Sequence, residues 1–158
     1  MRTWVDASTV IALDTIGEAA LLRDLLGRVA LTPEVAAEVF NGRESEALGR
    51  ARGTWIEIVP VTGGRQRWES LGLGRGEASL FLTPTDDRLV LDEVPARVAA
   101  ESEGRSYVGL LGLLVAGARK GKIAPDRARQ VLRRLVQSGF RLATELYDEA
   151  MEQLGAPR

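Results

Sequence analysis

The chain contains no histidine and no cysteine in 158 residues, and only two lysines, Lys120 and Lys122. Without histidine there is no imidazole to serve as a general base near neutral pH. Without cysteine there is no thiolate nucleophile and no disulfide, and a zinc site loses the nitrogen and sulfur ligands it prefers. Long apolar runs are missing as well: the longest, Val108 to Ala118, is about half what a membrane crossing requires. The opening Met-Arg-Thr-Trp-Val-Asp carries no basic region and apolar core of a signal peptide, so the expected location is the cytoplasm, with no membrane partner. A strong charge imbalance is also lacking. The formal net charge of -1 argues against a general polyanion-coating protein. It leaves nucleic acid open, because bound divalent ions reverse the local sign of an acidic site.

What is left for site chemistry is oxygen. Carboxylate clusters suit hard cations such as Mg²⁺ or Mn²⁺, and those cations suit phosphate chemistry. The first expectation is therefore a metal-dependent phosphodiesterase.

At this length one domain is the simplest reading, 1–158, with C-terminal helices from about 125 packed on it. A domain of this size buries roughly 70% of its unfolded surface. Short apolar strands are expected at Thr3–Ala7, Val29–Leu31, Trp55–Val59, Arg88–Leu91 and Tyr107–Val108. Helical spacing falls between them. Thr32-Pro33 is a start signal, a cap residue followed by proline at the first helical position, for a helix through Phe40. Further helices are expected at Glu77–Leu82, Val94–Glu103, Leu110–Lys120, Asp126–Gln137 and Thr144–Leu154, the last two capped by Asp126 and Thr144. Asp86-Asp87 reads as a solvated turn. Strands alternating with helices call for a parallel sheet covered on both faces, an α/β fold.

Four acids stand where such elements would deliver them to one sheet edge. Asp6 and Asp92 end strands, at the carboxyl edge where parallel sheets bind ligands. Glu38 borders the apolar stripe Val35-Ala36-Val39-Phe40, with Glu34 farther round toward solvent. Glu77 lies in the first turn of a helix entered through Gly74-Arg75-Gly76. Each has a plainer explanation: an N-cap for Asp6 or Asp92, a helix-boundary residue for Glu38, and a dipole-favoured acid for Glu77. The glycine-rich run Gly72–Gly76 lacks the Lys-Ser/Thr ending and preceding strand of a phosphate-binding loop. The first strand ends in Asp-Ala-Ser rather than a glycine-rich turn, which disfavours a dinucleotide-binding protein.

Four segments in order resemble the PIN-domain nucleases, and within them a VapC-like branch: Val5-Asp6-Ala7-Ser8, Thr32–Val39, Leu73-Gly74-Arg75-Gly76-Glu77-Ala78, and Val90-Leu91-Asp92-Glu93-Val94-Pro95-Ala96-Arg97. Tyr107–Gly112 and Ser138–Leu142 extend the likeness along most of the chain. The resemblance implies a Rossmann-like three-layer α/β/α sandwich with a central parallel sheet. It implies Asp6, Glu38, Glu77 and Asp92 as metal ligands for Mg²⁺ or Mn²⁺, Ser8 as support, and Arg97 pairing with an acid or touching phosphate. The implied activity is endoribonuclease cleavage of RNA, as a toxin held by a small antitoxin, in a chain that forms a homodimer. Two positions leave the branch pattern. Asp92-Glu93 stands for Asp-Asp, so Glu93 is expected to share or take over the fourth role. Gly109-Leu110-Leu111-Gly112 stands for Gly-Thr-x-Gly. The alternative is a weakened PIN-like module that binds RNA or a protein partner without cutting.

Overall fold

The computed structural model describes residues 1–155. In chain order the elements are β1 (Thr3–Val5), α1 (Ala7–Thr15), α2 (Leu21–Leu26), β2 (Val29–Leu31), α3 (Pro33–Val39), α4 (Glu46–Ala51) and β3 (Ile56–Ile58). There follow α5 (Gln66–Glu69), α6 (Arg75–Leu80), β4 (Arg88–Val90), α7 (Val94–Ser102), β5 (Tyr107–Val108), α8 (Leu110–Arg119), α9 (Pro125–Gln137) and α10 (Thr144–Gln153). The last three residues of the expected 1–158 domain lie outside the described residues.

The five strands form one all-parallel sheet in the order β3-β2-β1-β4-β5. Trp4 pairs with Ala30 on one side and Leu89 on the other, and Val5 pairs with Val90. Parallel strands are buried on both faces, so their sequences run apolar rather than alternate. That is why Val29-Ala30-Leu31 is buried at every position. Helices cover the sheet through residues such as Val10, Leu13, Val35, Ala78, Leu80, Ala96, Leu110 and Leu114, all buried. The α9 helix adds Ala128, Val131, Leu132 and Leu135 to the same core and packs on α8. Among the described residues, no helix is long and apolar enough to cross a membrane.

The strands are short because cap residues interrupt them. Asp6 turns the chain out of β1: its side chain accepts from the Thr9 amide, and α1 begins at Ala7, inside the expected strand. Thr32 does the same for α3, with Pro33 in the first turn as expected. Two cap assignments need correction. The helices expected to start at Asp126 and Thr144 are capped instead by Ala124 and Ala143, neither with a side-chain bond. Pro125 has its φ already set for a first helical turn, so α9 starts one residue before Asp126.

Asp86 is exposed in a turn as expected, but Asp87 is corrected, because it is buried. Its carboxylate accepts from the Trp4 indole at 2.9 Å and the Arg2 amide at 3.1 Å. The neighbouring Arg105 guanidinium is buried too, and donates to Thr83 Oγ1, Pro84 O and the Asp87 carbonyl. The sequence pattern showed two acids in a turn; it could not show that a tryptophan three residues from the N-terminus would point at one of them. Asp87→Ala strands a buried indole N–H and removes the acid beside Arg105. It should lower unfolding free energy by about 2–4 kcal/mol in urea denaturation, with Asp87→Asn falling between it and wild type.

Candidate functional site

The chain builds β1, β2 and β3 outward in one direction, then crosses to place β4 and β5 on the other side of β1. That reversal opens a crevice between the carboxyl ends of β1 and β4, the switch point at which doubly wound sheets bind ligands. Asp6 follows β1 directly, and Asp92 stands two residues past the end of β4. Helix α3, leaving β2, carries Glu38. Helix α6 packs against α3 and carries Glu77.

Asp6 is the fixed point. It is 1% exposed, with Oδ1 accepting the Thr9 amide at 3.0 Å and Oδ2 accepting the Asp92 amide at 2.9 Å. Burial, and then the Asp92 charge, push its carboxyl up to about 7, against the opposing effect of these hydrogen bonds. Asp92 is enclosed by a different set of partners. Its Oδ1 accepts the Leu110 amide at 3.1 Å and the Arg97 guanidinium at 3.2 Å, and its Oδ2 accepts the Thr9 hydroxyl. Thr9 therefore bridges the two acids, through its amide to one and its hydroxyl to the other. Sequence reasoning passed over it; the only available signal was the three-residue spacing from Asp6 that suits an N-cap contact. Arg97 also donates to the Leu91 carbonyl at 2.9 Å.

The other acids share with Asp6 a small cavity of about 140 Å³, lined by Asp6, Ala7, Ser8, Glu38, Gly74, Gly76, Glu77 and Glu93. No cationic side chain lines it. Glu77 bends back to accept the Gly74 amide through Oε1 at 3.1 Å, which leaves Oε2 shielded from solvent and without a hydrogen-bond partner. Burial raises the Glu77 carboxyl above its ordinary range; the Gly74 bond opposes this, and the Glu93 and Glu38 charges add to it. Ser8 donates to Glu93 Oε1 at 3.3 Å from across the crevice. A β-carbon at Gly76 would meet Glu38 Oε1 as that side chain is placed here. Glu34, expected nearer solvent than Glu38, is the less exposed of the two because Arg65 holds it at 2.8 Å. The structure thus brings Asp6, Ser8, Glu38, Glu77 and Glu93 together around one space and places Asp92 and Arg97 behind it. Arg75 is exposed.

This is a doubly wound parallel α/β protein with an acid-lined crevice at its switch point. The sequence matches the family model of the PIN domain over residues 3–156, and the chain belongs to that family. PIN domains are generally nucleases and typically use divalent metal ions. Comparison with curated proteins and with solved structures gave no match.

The cavity residues fit such an ion by chemistry. Every side-chain donor is oxygen, no cation competes, and Glu77 Oε2 is a buried acceptor without a partner. Among the described residues, no three acids stand close enough together to hold one ion in this arrangement. Closing the shell therefore requires rotation of Glu38 or Glu93, both exposed and free to change rotamer.

The raised Asp6 carboxyl sets a pH dependence. Its folded pKa of about 7 lies above the unfolded value of 3.8, so folding takes up a proton between them. The stability is fully present below the unfolded pKa and is lost as pH rises through the folded one. In chelator-treated protein the melting temperature should fall between about pH 4 and pH 7–8. Asp6→Asn should flatten that fall, measured by differential scanning calorimetry across the pH range.

Proposed function

We propose that the chain is a divalent-metal-dependent endoribonuclease that hydrolyses RNA phosphodiester bonds. The observation that carries this is the cavity at the switch point: acids from β1, α3, α6 and the end of β4 converge there without a cation, and one buried carboxylate oxygen lacks a partner. Bare carboxylates drawn to about 4 Å of one another would repel by roughly 1–4 kcal/mol per pair at intermediate dielectric, so a closed shell of these acids would need a cation to relieve it.

Asp6, Glu38 and Glu77, with one carboxylate from the end of β4, would hold Mg²⁺ or Mn²⁺. The ion supplies an activated water near neutral pH and charge relief for the phosphate, a task for which this chain has no imidazole. The protein's own part is orientation. The Thr9 and Asp92 amides fix Asp6 in one rotamer, Gly74 fixes Glu77, and the missing β-carbon at Gly76 lets Glu38 approach. Arg75, which is exposed, and Arg97, if released from Asp92, are the candidates to guide the phosphate backbone. The resemblance to VapC-like toxins extends the proposal to a cytoplasmic setting, a small antitoxin partner and a homodimer.

A second reading, a PIN-like module that binds RNA or a protein without cutting, is favoured by one observation: Asp92 is enclosed by Arg97, Leu110 and Thr9. One assay separates the two. Purified protein with Mn²⁺ or Mg²⁺ should cleave single-stranded or structured RNA. Asp6→Asn and Glu77→Gln should each lower the rate by more than roughly 100-fold, beyond what losing a group behind the ligands does. RNA binding without cleavage at any metal concentration would establish the second reading instead.

A further inference from the structure

The two acids that end β4 are neighbours in sequence, but their side chains go to different places. We propose that Glu93 supplies the fourth carboxylate of the cavity, and that Asp92 is an internal counter-charge and helix cap rather than an ion ligand. This rests on the metal-dependent reading above and assigns the residues within it.

Consider Asp92 first. Its side chain is 7% exposed and both oxygens are engaged by donors from three elements: Thr9 on α1, Arg97 on α7 and the Leu110 amide opening α8. The helix start at Leu110 has no side-chain cap of its own, because its N-cap is Gly109. Asp92 provides the missing acceptor, and a carboxylate is favoured at a helix N-terminus. Gly109 is constrained by the same arrangement: the Arg97 guanidinium occupies the position a β-carbon would take. Releasing Asp92 toward an ion would leave a half-buried arginine without its partner and the Leu110 amide uncapped. A charge already neutralised and bonded this way has little left to offer a second cation.

Glu93 is the opposite case. It occupies the N-cap position of α7, yet makes no capping bond. An ordinary N-cap acid would turn back to accept an amide of the first turn. Instead, its carboxylate reaches across the crevice to the Ser8 hydroxyl on α1 and lines the cavity beside Glu77. It has no cationic partner among the described ion pairs. A longer side chain hinged at the crevice rim reaches the cavity that the shorter, tied Asp92 does not line.

The test is thermal melting and Mn²⁺ titration, read by electron paramagnetic resonance, on the full chain and two variants. Wild type is expected to bind Mn²⁺ and to melt higher with it. Glu93→Gln should fold, melt within about 2 °C of wild type without metal, and bind Mn²⁺ at least about tenfold more weakly. Glu93→Asp tests reach: it should recover part of that affinity. Asp92→Asn should melt at least about 5 °C lower without metal while its Mn²⁺ affinity stays within about threefold of wild type. If Asp92→Asn loses Mn²⁺ binding and Glu93→Gln keeps it, the assignment is overturned and the metal-dependent reading stands. If wild type itself neither binds Mn²⁺ nor melts higher with it, that reading falls and takes the Glu93 assignment with it. Should Asp92→Asn fail to fold, the Glu93→Gln affinity alone decides: unchanged binding overturns the proposal.

Discussion

The Asp92 amide donates a hydrogen bond to the buried carboxylate of Asp6, and the site is organised around that contact. Strands β1 and β4 are neighbours in register, Val5 beside Val90, and the Asp6 amide continues the ladder by donating to the Val90 carbonyl. One residue further, the strands would diverge into helices on opposite faces. The contact from the Asp92 amide to the Asp6 carboxylate holds them together for one more step. Because Thr9 bonds both acids, the start of α1 is fixed to the end of β4 as well. The crevice is therefore a rigid notch, and its deepest wall carries a carboxyl whose ionisation burial opposes.

From that wall outward, the acids fall into two kinds. Asp6 and Asp92 are locked by backbone amides and by Thr9, and Arg97 answers one charge. Glu38, Glu77 and Glu93 reach the notch on longer side chains from α3, α6 and the rim of α7. Their mutual repulsion is relieved by distance in this arrangement, which is why no three of the described acids form a closed shell. A rigid base with Glu38 and Glu93 free to change rotamer would suit a hard cation.

Much of this framework was legible in the sequence. Val29–Leu31 and Tyr107–Val108 fall where periodicity places them, and Thr32-Pro33 marks α3 because a cap oxygen and a preset φ act locally. The acids at strand ends were legible for the same reason: parallel sheets put ligands at their carboxyl edge. Strand order was not, because pairing is a long-range choice that periodicity does not encode. Asp87 was misread on the same ground: its partners, Trp4 and Arg2, are some eighty residues away. The different surroundings of Asp92 and Glu93 were equally hidden. Their identities are nearly interchangeable in sequence, and only the arrival of Arg97, Leu110 and Ser8 separates them.

Leu110, one of the two positions where the sequence departs from the motifs it resembles, takes on a different meaning in this setting. Leu110 is fully buried, and what it contributes to the crevice is its amide, donated to Asp92. A backbone donor does not depend on the side chain, so the cap survives the loss of a hydroxyl. The apolar side chain meanwhile joins Leu113 and Leu114 in the core under α8. Gly109 is the position that cannot vary freely, because Arg97 occupies the volume of its missing β-carbon. A departure in a motif matters only where the side chain itself makes the contact. Here the contacts come from a glycine's absent carbon and a leucine's amide, neither of which depends on the side chain at 110.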